Sequence, residues 1–585
     1  MSCAYVPIHN LHKTSNMKRI VILGVILFWQ WGVAVACTNF LFSKGATKDG
    51  STMITYAADS HTRYGQLRYC PAADHKPGEM LRIYDYGSLK YLLSIPQPEH
   101  TYNVVGFINE FQLAIGETTW GGIPELEQGN STGIDYGNLI YVALQRARNC
   151  REAIVIMDEL TRTYGYASGG ESFSLCDPNE VWIYEIIDKG KEQGAVWVAR
   201  RVPEGYVCGH ANQARITQFP LESKQASKSA FGKGYHKSLS SHNLKFINDP
   251  EVECVYSEDV ISFARNNGWY QGSDEQFSFA DTYNPITFSG ARACDARVYA
   301  MYNRVNPDMK RYEAYAMGDI HAERLPLWIQ PDHKIDVHEV MNLMRDHFEG
   351  TPMDMTQDVG AGPFHLPYRW RPMDWEVDGK KYVHERATST QQTGFSFVAQ
   401  CRSWLPNALG GIIWFGVDDT YSTCYCPMYC GMTQIPICFE YGNGSMTEYS
   451  ETAAFWLFNR VTNFCYLRYD SMIKDVQDAQ QELETYFIGQ EAKHADQWAQ
   501  TDNASRLTGE LNRFSNNMAE KMMRRWKELD NFLLVKYIDG NIKHESNGKF
   551  ETTETGVVKF PDQPEYPAWF YKQIVDDHGD IILVK

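Results

Sequence analysis

Residues 37–60 read CTNFLFSKGATKDGSTMITYAADS. Two strand-like runs, Thr38 to Ser43 and Ser51 to Ala57, flank a turn-rich stretch holding Gly45, Asp49 and Gly50, which is the pattern of a β-hairpin. Paired about a centre near Lys48, the hairpin sets residue 37 opposite a residue near 59 and puts Asp59 beside Cys37. The residues before Cys37 give that pair its meaning. Met17-Lys18-Arg19 is a short cationic start, Ile20 to Phe28 an apolar core, and Ala34-Val35-Ala36 the small-x-small pattern of a signal-peptide cleavage site. Cleavage there leaves Cys37 as the first residue of an exported chain. It then carries a thiol nucleophile and an α-amine of ordinary pKa about 7.7–8.0 in one residue.

The sixteen residues before Met17 have no signal-peptide logic, so translation is expected to start at Met17. Gly24 and Gln30 interrupt the apolar run, which reads as a removed signal and not as a retained membrane span. A rival reading is a bacterial lipoprotein, whose lipidated Cys37 would be blocked as a base; Ala34 stands where a lipobox usually has Leu. Net charge is −17, and loss of residues 1–36, with three cations and no acids, takes it to −20. Such a body repels phosphate backbones and argues against nucleic-acid partners. Abundant aromatics (35 Tyr, 28 Phe, 15 Trp) indicate a packed globular core. The densest cysteine cluster, Cys424, Cys426, Cys430 and Cys438, lacks the paired C-x-x-C spacing of structural zinc sites, and no metal is expected. Disulfides and buried thiols both remain open.

Further hairpins are expected from Val104 to Thr118 around Asn109-Glu110, and from Ser172 to Arg201 with breaks at Asp177-Pro178-Asn179 and Lys189-Gly190. Leu139 to Arg148 and Glu152 to Thr163 have helical spacing, a late strand group covers Gly411 to Tyr429, and Thr452 to Leu533 turns helical and charged. Ser223 to Ser241 reads as an exposed loop, and Ile581 to Lys585 as a β-like tail. Strands in runs and helices in separate runs indicate an α+β fold. The expected division is a leader (1–36), a core (37–450) and a helical extension (451–585), the last packing on the core or pairing with a second subunit as a homo-oligomer.

The start at Cys37 resembles the N-terminal nucleophile hydrolases, in particular the cysteine dipeptidases related to secernins. The likeness continues at Asn109-Glu110, Gly116-Glu117-Thr118-Thr119-Trp120, Ala211-Asn212-Gln213-Ala214-Arg215-Ile216 and His384-Glu385-Arg386. It runs on through Thr390-Gln391-Gln392-Thr393 and Arg402-Ser403-Trp404-Leu405-Pro406 to Trp414-Phe415-Gly416. More distant relatives are penicillin V acylases and bile salt hydrolases. The resemblance implies a four-layer αββα sandwich, dipeptides or short peptides as substrates, and no metal or organic cofactor. It implies Cys37 as nucleophile and base, and Asp59 as the partner of its ammonium. Asn212 would be the oxyanion donor, an amide N–H stabilising negative charge without ionising. Thr119 falls where the amidases carry another oxyanion Asn, so a backbone N–H could serve there instead. Arg292 or Arg297 would be the Arg near the nucleophile, with Arg292 preferred. Glu117 would receive a dipeptide's amino end. Non-peptide amides, such as acylated amino acids or bile-salt conjugates, are the rival substrates.

Overall fold

The hairpin at the start of the core forms as its sequence predicts, half a residue from the expected centre. In the computed structural model, which describes residues 36–126, 132–222, 237–370 and 374–584, strands Ala36–Phe42 and Thr52–Asp59 pair antiparallel. Cys37 lies opposite Ala58, Ala36 opposite Asp59 and Phe42 opposite Met53. The turn closes through Asp49, whose Oδ1 accepts from Ser51 N at 3.0 Å, and Gly50, whose φ of 78° suits glycine. Every residue of Thr52–Asp59 is buried. An antiparallel strand covered on both faces must lie between two layers.

The strand belongs to a seven-stranded antiparallel sheet ordered Trp328–Ile329, Val207–His210, Ala36–Phe42, Thr52–Asp59, Thr393–Cys401, Ile412–Val417, Cys426–Tyr429. A second, nine-stranded sheet has Ala114–Gly121, Gly170–Cys176, Val181–Asp188 and Ala195–Arg201 as its main strands, joined as consecutive antiparallel neighbours. The two sheets pack face to face, with Ala36–Phe42 and Thr52–Asp59 against Ala114–Gly121 and Gly170–Cys176. Helices Tyr136–Arg146 and Cys150–Tyr164 lie on the second sheet, capped by Asp135 and Asn149 accepting from Asn138 N (3.0 Å) and Glu152 N (2.9 Å). Helix Ala296–Val305 lies on the first sheet, over Ala36–Phe42 and Val207–His210. The fold is α+β.

The expected helical stretch after Thr452 is three helices, Ala454–Cys465, Tyr469–Ala499 and Ala504–Lys536, the last packed along Cys426–Tyr429. Two buried ion pairs tie Tyr469–Ala499 to the sheet side: Arg345 Nη2 to Glu484 Oε1 and Arg402 Nη1 to Glu491 Oε1, each 2.6 Å. Removing one partner of such a pair strands a buried charge and costs about 3–5 kcal/mol. Trp526 stacks on Phe458 at 4.3 Å, so apolar packing works alongside the charges. The expected β-like tail is not a strand: Gly579–Ile582 forms a 3-10 turn, and Ile581 to Val584 are exposed with no ladder partner among the described residues. Cys424, Cys426, Cys430 and Cys438 are buried thiols without disulfides. Residues 1–35 of the leader and residues 223–236 of the expected loop lie outside the described residues. No described helix is long and apolar enough to cross a membrane.

Candidate active site

Alternation along Ala36–Phe42 gives its two faces different surroundings. The Cys37 thiol points between the sheets. Its Sγ lies 3.7 Å from Glu117 Oε1 and 3.9 Å from the Tyr56 hydroxyl, and that hydroxyl also donates to Glu117 Oε1. Glu117 sits in Ala114–Gly121, near Glu171 of the neighbouring strand. Thr119 Oγ1 donates to Glu171 Oε1 at 2.9 Å. Glu117 Oε2 and Glu171 Oε2 are buried with no hydrogen-bond partner among the described residues. Burial raises the pKa of both carboxyls; the charge of Glu117 pushes Glu171 up further, while the Tyr56 hydroxyl and the Arg63 charge hold Glu117 down. Like charges this close oppose each other's ionisation, and both carboxyls are pushed toward the protonated form. Burial, then the charges of Glu117 and Asp59, also raises the Cys37 thiol well above its ordinary value. The resting thiol is protonated and needs a base.

The other face looks toward helix Ala296–Val305. There Arg297 is fully buried, and each of its five N–H groups is accounted for. Nη1 donates to Cys37 O and Thr38 Oγ1, both at 2.8 Å. Nη2 donates to Ala211 O (3.0 Å) and Asn212 Oδ1 (2.8 Å), and Nε to Ala293 O (3.1 Å). Asn212 Oδ1 also accepts from Cys37 N at 3.1 Å, and its Nδ2 donates to Thr119 O. Two donors facing Oδ1 and one acceptor facing Nδ2 fix the amide's orientation. Asn212 has φ 60°, a left-handed conformation that Asn tolerates better than most residues. Just before it, His210 bridges the sheets, Nδ1 to Thr118 Oγ1 and Nε2 to Ser174 Oγ at 2.7 Å each. Burial, with the nearby Arg215 charge, depresses this imidazole to about 3 and keeps it neutral.

Asp59 lies on this second face, opposite Ala36. Its Oδ1 is 2.7 Å from Thr393 Oγ1, and its Oδ2 is buried with no hydrogen-bond partner among the described residues. Burial pushes the carboxyl up to about 7 against the opposing charges of Arg386 and Arg297 and the Thr393 bond.

The structure therefore brings Cys37, Asp59, Asn212, Glu117 and Thr119 together. It does not bring Arg292 to them. Arg292 is ion-paired with Glu385 and donates to Met317 O at 3.0 Å, whereas Arg297 reaches Cys37. The preference for Arg292 is corrected. It lies in the wide turn Gly290–Asp295 that leads into the helix, and the five-residue offset puts the two arginines on different sides of the coil. Asn212 presents Oδ1, not an N–H, to the Cys37 nitrogen. Sequence reading missed Tyr56 and Glu171. Tyr56 had a signal, since it lies two residues from Ala58 and shares the face of Cys37. Glu171 is found only from the register that sets it opposite Thr119, across a long connection.

The sequence profile of peptidase family C69 matches residues 88–482, most of the chain and downstream of Cys37. A probable dipeptidase of Salmonella dublin is 24% identical over 439 residues, 71% of this chain and 86% of that relative. Probable dipeptidase B of Streptococcus pyogenes serotype M1 is 22% identical over 547 residues, 88% of this chain and 96% of its own length. A probable dipeptidase of Latilactobacillus sakei is 24% identical over 405 residues, covering 65% and 71%. The chain belongs to peptidase family C69.

Proposed function

We propose that this peptidase is a dipeptidase of the N-terminal nucleophile type, with the two facing sheets and outer helices forming an αββα sandwich. The observation that carries the reading is Asn212 Oδ1 on the Cys37 nitrogen at 3.1 Å, beside a buried Asp59 whose Oδ2 lacks a partner among the described residues. In the structure that nitrogen is a peptide N–H joined to Ala36. After signal cleavage and export it becomes an α-amine, and the place opposite Asp59 is the place of its charge. A salt-bridging ammonium there draws the Asp59 pKa down, because an opposite charge favours the carboxylate.

The neutral amine takes the thiol proton, and Cys37 Sγ attacks the scissile amide carbon. We assign the developing oxygen to the end of the site where Asn212 Nδ2 donates, and the amine's orientation to Asn212 Oδ1 and Asp59. The ammonium protonates the leaving amine, and water activated by the same amine hydrolyses the thioester. The Glu117–Glu171 pair offers carboxyl oxygens without hydrogen-bond partners among the described residues to the ammonium of a dipeptide's first residue. Small peptides are the substrates, and none of these steps calls for a metal or organic cofactor.

Mass spectrometry of the mature N-terminus, with a dipeptide assay on the same sample, tests this reading. An unmodified Cys37 and dipeptide turnover are expected. A diacylglyceryl Cys37, a first residue elsewhere, or turnover of glycine-conjugated bile salts but not dipeptides would overturn it.

A further inference from the structure

We infer that Arg63 receives the C-terminal carboxylate of the substrate, making this a peptidase that reads both ends of a dipeptide. The inference rests on the dipeptidase reading above and adds a second binding group to it.

Arg63 follows the nucleophile hairpin by four residues, in a turn closed by its own N–H donating to Ser60 O at 3.0 Å. The turn that places Asp59 beside the nucleophile thus also aims Arg63. Its path presses on Gly394: a Cβ there would stand 2.6 Å from Arg63 O and 2.7 Å from Arg63 Cβ. Thr393, next to Gly394, is the residue that bonds Asp59. Arg63 Nη2 donates to Tyr136 OH at 2.6 Å, and the guanidinium lies over the Tyr86 ring at 4.2 Å. Among the described residues it has no carboxylate partner within ion-pair distance, although it lies near enough to Glu117 for its charge to hold that carboxyl's pKa down. A guanidinium held by one phenol and one ring face keeps its fork for a carboxylate, which Arg binds in bidentate geometry.

The space before it fits such a ligand. A cavity of about 310 Å³ is lined by Arg63 and by Arg68, Tyr86, Tyr141, Phe107 and Phe395, and no Asp or Glu is among its lining residues. That is notable in a chain of net charge −17. The volume is at the small end of ligand pockets, about 300–1,000 Å³. Phe107 and Phe395 pack edge-on against Tyr56, with centroids 5.5 and 5.6 Å away, and the Tyr56 hydroxyl is 3.9 Å from Cys37 Sγ. Two lining rings of the cavity thus pack on the tyrosine whose hydroxyl faces the Cys37 sulfur. A dipeptide with its amino end at Glu117 and its scissile carbonyl at Cys37 has its carboxylate left to place, and of the two arginines that line the cavity Arg63 is the one whose charge reaches Glu117.

The test compares a dipeptide with uncharged side chains, its C-terminal carboxamide and the corresponding tripeptide, on the mature enzyme and on Arg63→Gln and Arg63→Lys. For the wild type, kcat/KM for the acid should exceed that for the amide by roughly 10–100-fold, carried mainly by KM. In R63Q the acid-to-amide ratio should collapse toward one, and R63K should recover part of it. A purely structural Arg63 would slow both substrates alike and leave the ratio unchanged, which overturns the inference. So does a wild type that cleaves acid and amide equally, a result that needs no variant to fold. If the wild type cleaves no peptide at all, the dipeptidase reading falls and this inference with it, a result distinct from unselective cleavage.

Discussion

The two faces of strand Ala36–Phe42 are one residue apart in sequence and opposite in chemistry. The face between the sheets meets acids: Tyr56, Glu117 and Glu171 crowd the thiol in dry surroundings and raise its pKa. The helix-side face meets a cation, Arg297, which grips the Cys37 carbonyl and, through Asn212, its nitrogen. Negative surroundings keep a thiol protonated, and fixed donors and acceptors keep a nitrogen oriented. The comparison teaches that the strand directs the sulfur and the nitrogen of one residue into different fields.

Cys37→Ala removes the sulfur from the face between the sheets. Peptide hydrolysis should fall to the uncatalysed rate with an unchanged circular dichroism spectrum; surviving turnover would move the nucleophile elsewhere. Arg297→Gln breaks the helix-side face. It takes away the five buried hydrogen bonds that the guanidinium donates, so activity should drop at least ~100-fold and the thermal midpoint should fall, each lost charged bond being worth about 1.5–3 kcal/mol. An R297Q enzyme of normal stability and rate would show that the cation is dispensable.

Asp59→Asn tests the same face more gently, with a loss of roughly 10–100-fold in kcat/KM. Its stability effect has a sign fixed by the raised carboxyl. With Ala36 still attached, the native state holds the Asp59 proton up to about pH 7 while the unfolded chain loses it near 3.8. Native protein binds more protons in that window, so stability falls as pH rises through it, by on the order of 4 kcal/mol. In that unprocessed form D59N should be the more stable protein at pH 8 and gain little at pH 4, as paired melts would show. Equal melting curves at both values would refute the buried, raised carboxyl.

Glu117→Gln sharpens the acidic face and should have the smallest effect on chemistry. Its KM for free dipeptides should rise about 10-fold, while N-acetylated dipeptides, which lack the ammonium, should respond less. Equal effects on both would take Glu117 out of amine recognition.

Much of this was legible because it is local. The hairpin, the two helices after Ile134 and the strands from Gly170 to Arg201 follow from period-two and period-3.6 patterns with clear turn residues. Asp59 came from register within one hairpin and needed only a one-residue correction. Arg297 against Arg292 was not legible, because a short wide coil before the helix decides which side chain turns inward. Glu171 was hidden by the fifty-odd residues between its strand and Thr119, and no local pattern carries a register across such a distance. The tail at Ile581 misled because an apolar run without a neighbouring strand has nothing to pair with.

Arg297 joins the Cys37 carbonyl across 260 residues of chain and Asn212 across 85. Its consequence is one of timing. Cys37 is made early, and the guanidinium that holds it is made hundreds of residues later. A growing chain carries its Cys37 thiol and hairpin before the Arg297 contacts to them can form. On the proposed reading, a stretch that stops short of helix Ala296–Val305 has the thiol without the guanidinium that fixes it, and should be inactive.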